Sequence, residues 1–120
     1  MAAEISRIAR TESLFRDVNE RIAETSESFG AEDAEFVCEC ADAGCGERLL
    51  APLADYEQVR ADGVHFLVAP GHEEPEYERV VERNSGYQVV AKTEDPLLAR
   101  KARQLDPRAD SPPEDQASEI

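Results

Sequence analysis

The stretch Cys38-Glu39-Cys40-Ala41-Asp42-Ala43-Gly44-Cys45 decides how this chain is read. It holds all three cysteines of the 120 residues, in the spacing C-x-C-x4-C. Zinc takes four ligands in a tetrahedron with Zn–S distances of about 2.3 Å, so neighbouring sulfurs stand roughly 3.7 Å apart. Alternate residues of a strand point to one face but lie about 6.6 Å apart along the chain. Cys38 and Cys40 therefore converge on one ion only where the strand bends at or just after Glu39. The small and turn-forming residues Ala41 to Gly44 allow that bend. Gly44 and Gly46 are expected to take positive φ on either side of Cys45, which swings its sulfur back beside the first pair.

Three thiolates leave one ligand to find. The chain has two histidines, His65 and His72. His65 lies inside Val64-His65-Phe66-Leu67-Val68, which reads as a strand. His72 follows Pro70-Gly71 in a turn, and a turn can aim an imidazole at a neighbouring loop. The expected metal site is therefore Cys38, Cys40, Cys45 and His72, holding zinc, with Asp42 or a water as alternative fourth ligands. Two other readings compete: buried reduced thiols acting as small hydrophobes, and a Cys38–Cys45 or Cys40–Cys45 disulfide that leaves one odd thiol. Cys40 and Cys45 sit among Glu, Asp and Gly, which is poor core composition.

Outward from this loop, the chain reads as one α+β body in three stretches. Residues 1–34 are expected to form a long amphipathic helix, about Ala3 to Glu27, followed by a polar linker whose Gly30 stops the helix. Ile8, Phe15, Ile22 and Phe29 recur every seven residues with Val18 between them, which predicts an apolar stripe packed on the sheet or on a partner in coiled-coil fashion. Glu12–Arg16 and Asp17–Arg21 are spaced as i,i+4 ion pairs. Residues 35–92 form a metal-stapled core of about five short, mostly antiparallel strands with one short helix. Its strands are expected at Glu35–Cys40, Glu47–Ala51, Val64–Ala69, Tyr77–Arg83 and Tyr87–Lys92, and its helix at Pro52–Ala61. Val64–Ala69 is apolar on both faces, which suggests a central strand, and Asn84-Ser85-Gly86 marks a hairpin turn. In residues 93–120, Asp95–Leu105 reads as a short helix, and the proline-rich, apolar-poor segment from Asp106 is expected to be disordered.

Composition bounds the partners. Thirteen basic residues against 27 acidic ones give a formal net charge of -14, which repels phosphate backbones and anionic lipid. A direct nucleic-acid or membrane partner is not expected. A protein partner, or self-association through the N-terminal helix, is. There is no signal-peptide pattern in Met1 to Arg10 and no run approaching the ~20 apolar residues of a membrane span. A reducing, cytoplasmic setting is expected, where clustered cysteines bind metal or do redox work more often than they form structural disulfides.

Five stretches carry a family likeness: Leu14-Phe15-Arg16-Asp17-Val18-Asn19-Glu20-Arg21-Ile22; Phe36-Val37-Cys38-Glu39-Cys40 with Cys45; Tyr56-Glu57-Gln58-Val59-Arg60; Val68-Ala69-Pro70-Gly71-His72-Glu73; and Gly86-Tyr87-Gln88-Val89-Val90-Ala91-Lys92. Together they resemble a group of small actinobacterial proteins of unknown function, over Arg7 to Lys92. Pro52 departs from the pattern, which has a Thr-like helix cap near there. The resemblance implies no activity.

Three functions fit these residues. The first is an interaction module with structural zinc. The second is a thiolate-zinc redox sensor. The third is a zinc-dependent enzyme with Glu73 or Glu74 as general base, although the sequence has no H-E-x-x-H and no H-x-E…P-C-x-x-C pattern.

Overall fold

The computed structural model describes residues 2–110. Helix α1, Ala2–Ser28, runs for 27 residues, about 40 Å at 1.5 Å per residue. Gly30 ends it at φ 75°. The Gly30 amide donates to Glu27 O (2.9 Å) and the Ala31 amide to Ser26 O (3.0 Å), so two of the last carbonyls are satisfied by a Schellman closure.

Five strands follow, all paired antiparallel, and they divide between two sheets. Strands β1, Asp33–Val37, and β2, Arg48–Pro52, form the hairpin that carries the cysteine loop. Their alternating burial turns Ala34, Phe36, Leu49 and Ala51 inward. Helix α2, Leu53–Arg60, leads to β3, His65–Val68. Strands β4, Arg79–Arg83, and β5, Gln88–Ala91, are the hairpin around Asn84-Ser85-Gly86. The second sheet has the order β3-β5-β4, so the central strand is β5, buried at all four residues, and not the Val64–Ala69 segment. β3 is buried for another reason. Its outer edge is covered by the end of the first hairpin, where the Glu39 amide donates to Leu67 O at 2.7 Å. The edge strand β4 carries a bulge between Val80 and Glu82 and three charged side chains, both of which discourage further pairing.

The expected apolar stripe of α1 packs only in part: Ile8 is buried and Ile22 lies partly buried against the core, but Val18, Phe29 and the flanking Leu14 face outward. Phe29 is 84% exposed, Leu14 63% and Val18 38%. The inward face is Ile5, Ile8, Ala9, Glu12, Arg16, Asn19 and Ala23. Its middle is polar, and each polar side chain has a partner in the body. The Arg16 guanidinium donates to Gly63 O (2.7 Å) and Ala102 O (2.8 Å) and lies 4.1 Å over the Phe66 ring. Glu12 accepts from Lys92 Nζ at 2.6 Å, and Lys92 also pairs with Glu78. Glu12 and Arg16 therefore find distant partners, while the exposed Asp17–Arg21 pair forms on the helix surface at 3.7 Å. A hydrophobic period cannot find a face whose central residues are charged.

Helix α3, Pro96–Gln104, is capped by the Asp95 carboxylate, which accepts from the Leu97 and Leu98 amides. It lays Leu98, Ala99 and Ala102 inward, near α1. The expected disorder from Asp106 does not begin there. A 3-10 turn at Pro107–Asp110 follows. Asp106 pairs with the buried Arg60, and Arg108 bridges Glu20 of α1 (2.7 Å) and Glu57 of α2 (2.9 Å). Residues 111–120 of that segment lie outside the described residues.

Candidate metal centre

The site is built where the two sheets meet. Cys38 continues β1 by one more ladder bond, its amide donating to Glu47 O at 3.0 Å. After it the chain bends, and the bend has a cause. Glu39 points away from the cysteines into the body, where it is fully buried. Its Oε2 accepts from Asn19 Nδ2 (2.7 Å) and from the Tyr56 hydroxyl (2.8 Å), and its Oε1 accepts from the Leu67 amide (3.0 Å). Helix α1, helix α2 and strand β3 therefore all grip the one residue between Cys38 and Cys40. Stacking of Phe36 on Tyr56, with centroids 4.4 Å apart, aims the tyrosine hydroxyl. Asn19 adds a second clamp: its Nδ2 donates to Val37 O and its Oδ1 accepts from Val37 N, both at 2.8 Å. The side-chain amide thus replaces a neighbouring strand on the free edge of β1.

Beyond Cys40 the loop turns on Asp42. Its carboxylate accepts from the Gly44 amide (2.9 Å) and its carbonyl from the Cys45 amide (3.0 Å). Among the described residues positive φ is confined to Gly30 and Gly71. Gly44 and Gly46 therefore do not use the left-handed region expected of them, because the Asp42 turn already brings Cys45 back. That engagement also turns the exposed Asp42 carboxylate to shaping the loop.

The remaining donor comes from the turn after β3. Ala69-Pro70-Gly71-His72 closes through the His72 amide donating to Ala69 O at 2.9 Å. Pro70 presets the first corner, and Gly71 takes φ 87° at the second, where a side chain would be strained. The turn points His72 at the cysteine loop. Its Nδ1 lies 3.6 Å from Cys38 Sγ and 3.6 Å from Cys45 Sγ. One ligand atom from each of Cys38, Cys40, Cys45 and His72 lies within 4.8 Å of the other three. All three cysteines are free thiols. His65 stands at the far end of β3, with Nε2 3.8 Å from Asp62 Oδ2, and is not in the cluster. The carboxylates of Glu73 and Glu74 are outside the four-residue cluster as well. With the Gln88 amide in its satisfied orientation, Glu73 Oε1 accepts from it at 2.8 Å.

The electrostatics suit a cation. Burial pushes the Cys38 and Cys40 thiols above the ordinary thiol range, and neighbouring sulfurs push Cys38 further the same way. Three adjacent thiolates without a positive charge between them would repel one another. A metal ion supplies that charge and displaces the protons. The Ala69 amide already donates to Cys38 Sγ at 3.1 Å, the kind of surrounding hydrogen bond that orients a ligating sulfur. Thiolate sulfur with imidazole nitrogen is a soft donor set, which suits zinc, copper(I) or iron better than calcium or magnesium.

Glu39, Asn19 and Tyr56 carry this geometry without touching the cluster, and the sequence reading missed them. One signal was present. In a strand that turns Cys38 and Cys40 to one side, Glu39 faces the other, and a carboxylate facing a core needs donors. No protein-family model, curated protein or solved structure matches the chain, so the functional reading rests on the geometry.

Proposed function

We propose that Cys38, Cys40, Cys45 and His72 bind one structural zinc ion, and that the stapled body is a protein-interaction module. The observation that carries the metal reading is the convergence of the three thiols of one loop with an imidazole 27 or more residues away, Cys45 and His72 being the nearest such pair. On one tetrahedral zinc, a thiolate sulfur and an imidazole nitrogen stand about 3.5 Å apart, and the Cys38 and Cys45 sulfurs each lie 3.6 Å from His72 Nδ1. Four protein ligands leave no open position, which is the mark of a structural site. The interaction role draws support from the outer face of α1, where Leu14 and Val18 lie one turn apart and exposed, with Leu105, 41% exposed, beside Leu14 in a shallow apolar groove. A protein partner or a second copy of this chain suits that face better than nucleic acid or lipid, given the net charge of -14. Among the described residues no helix is long and apolar enough to cross a membrane, and three free thiols suit a reducing compartment.

Native mass spectrometry of the purified chain, with and without a chelator, tests both parts. One zinc per chain is expected, with a lower melting temperature after chelation, because metal binding is also folding free energy. A metal-free chain that binds no added zinc and melts unchanged would overturn the metal reading. The same spectra count subunits, and a monomer would leave a different protein as the partner.

A further inference from the structure

We propose that the cluster is also a peroxide-responsive thiol pair, with Cys45 the first sulfur oxidised and Cys40 the thiol that resolves it; this rests on the zinc reading above. The three sulfurs are not equally placed. Cys38 is 1% exposed and Cys40 4%, whereas Cys45 is half-buried between exposed Gly44 and Gly46. A small oxidant therefore meets Cys45 first. Cys38 is also the most firmly held: its amide is in the hairpin ladder and its sulfur accepts from the Ala69 amide. Cys40 and Cys45 instead bracket a surface loop in which Asp42, Ala43 and Gly44 are all exposed. Joining Cys40 to Cys45 asks only that loop to move. Joining Cys38 to Cys45 would pull on the strand pairing.

The oxidant is a hydroperoxide. The Cys45 thiolate attacks one peroxide oxygen, the O–O bond breaks, and hydroxide leaves and takes a proton. The Cys40 thiolate then attacks the sulfur of the resulting sulfenic acid. The S–S bond forms, the S–O bond breaks, and a second hydroxide leaves as water. In total two thiolates, one hydrogen peroxide and two protons give one disulfide and two waters. Only Cys38 and His72 then remain as donors, too few to retain the ion against a competing chelator. Release of zinc removes the metal link between the cysteine hairpin and the turn that carries His72, so the protein reports oxidation as a loosening of the junction between its two sheets.

The zinc-loaded full chain, treated with hydrogen peroxide beside a colorimetric zinc indicator and then alkylated and mapped by peptide mass spectrometry, tests this. The expected result is release of zinc in step with the loss of two alkylatable thiols. The map should show a Cys40–Cys45 disulfide with Cys38 alkylated, and dithiothreitol should restore zinc binding. Zinc retained with all three thiols intact would overturn the inference, as would a disulfide through Cys38 or stable sulfinic acid at Cys45. A chain that binds no metal would remove the zinc reading and this inference together. A zinc-loaded chain indifferent to peroxide would remove this inference alone.

Discussion

Gly71 shows how much of the site depends on single residues. Its φ of 87° lies where an L side chain costs about 1–2 kcal/mol. No atom lies within 4 Å of a Cβ built there, so the strain is in the backbone and not in a clash. Gly71→Ala is therefore expected to lower stability by about that amount, and to weaken zinc binding because the turn no longer aims His72. Thermal melts and a competitive zinc titration on the same variant would check both. Gly44→Ala, where φ is not positive, is the control and should do neither. Glu39 and Asn19 belong to this scale too. Each is a polar residue that replaces a missing strand neighbour, Glu39 for β3 and Asn19 for β1, and neither role is visible in a hydropathy pattern.

At the scale of elements, the sequence was most legible where a local rule decides. The cysteine hairpin, the Asn84-Ser85-Gly86 hairpin, the Gly30 helix end and the Asp95-capped helix follow from turn and cap chemistry within a few residues. The placement of α1 does not. Its inward face carries Glu12, Arg16 and Asn19, whose partners lie 18 to 86 residues away, and only the folded chain brings these together. The strand order was hidden for the same reason: β3 reads as central because Glu39 and Cys38 cover its edge. The segment after α3 was read as a tail because its composition is polar, yet it is bound through charge. Arg60 is fully buried between Glu20 and Asp106, while the Arg108 side chain is 35% exposed. Arg60→Ala leaves two carboxylates without their buried partner, and is expected to cost about 3–5 kcal/mol. Arg108→Ala breaks a bridge that water screens, and about 1 kcal/mol or less is expected. Urea denaturation of the two variants would rank them. A larger loss for Arg108→Ala would mean that the 3-10 turn, and not the Arg60 cluster, anchors this end of the chain.

For the whole molecule, the central point is where the proposed metal site lies. The two sheets share no strand. They meet through a shared hydrophobic core, the Glu39 contacts with β3, the Cys38 contact with Ala69 just after it, and the cluster itself, with three donors from the first hairpin and one from the turn after β3. A metal there would add a link between two sheets that share one hydrophobic core, in a chain with few aromatics and no tryptophan. The expectation of a Cys3His site came from spacing and from a turn motif. The junction it closes was beyond the sequence, because it depends on which strand edge Glu39 meets. Cobalt substitution tests the account most directly. Cobalt bound by three thiolates and one imidazole in a tetrahedron absorbs strongly in the visible range, with sulfur charge transfer in the near ultraviolet. The full chain should show those bands, His72→Ala should shift and weaken them, and His65→Ala should leave them unchanged. A spectrum that His72→Ala leaves intact and His65→Ala alters would contradict the ligand set and the junction built on it.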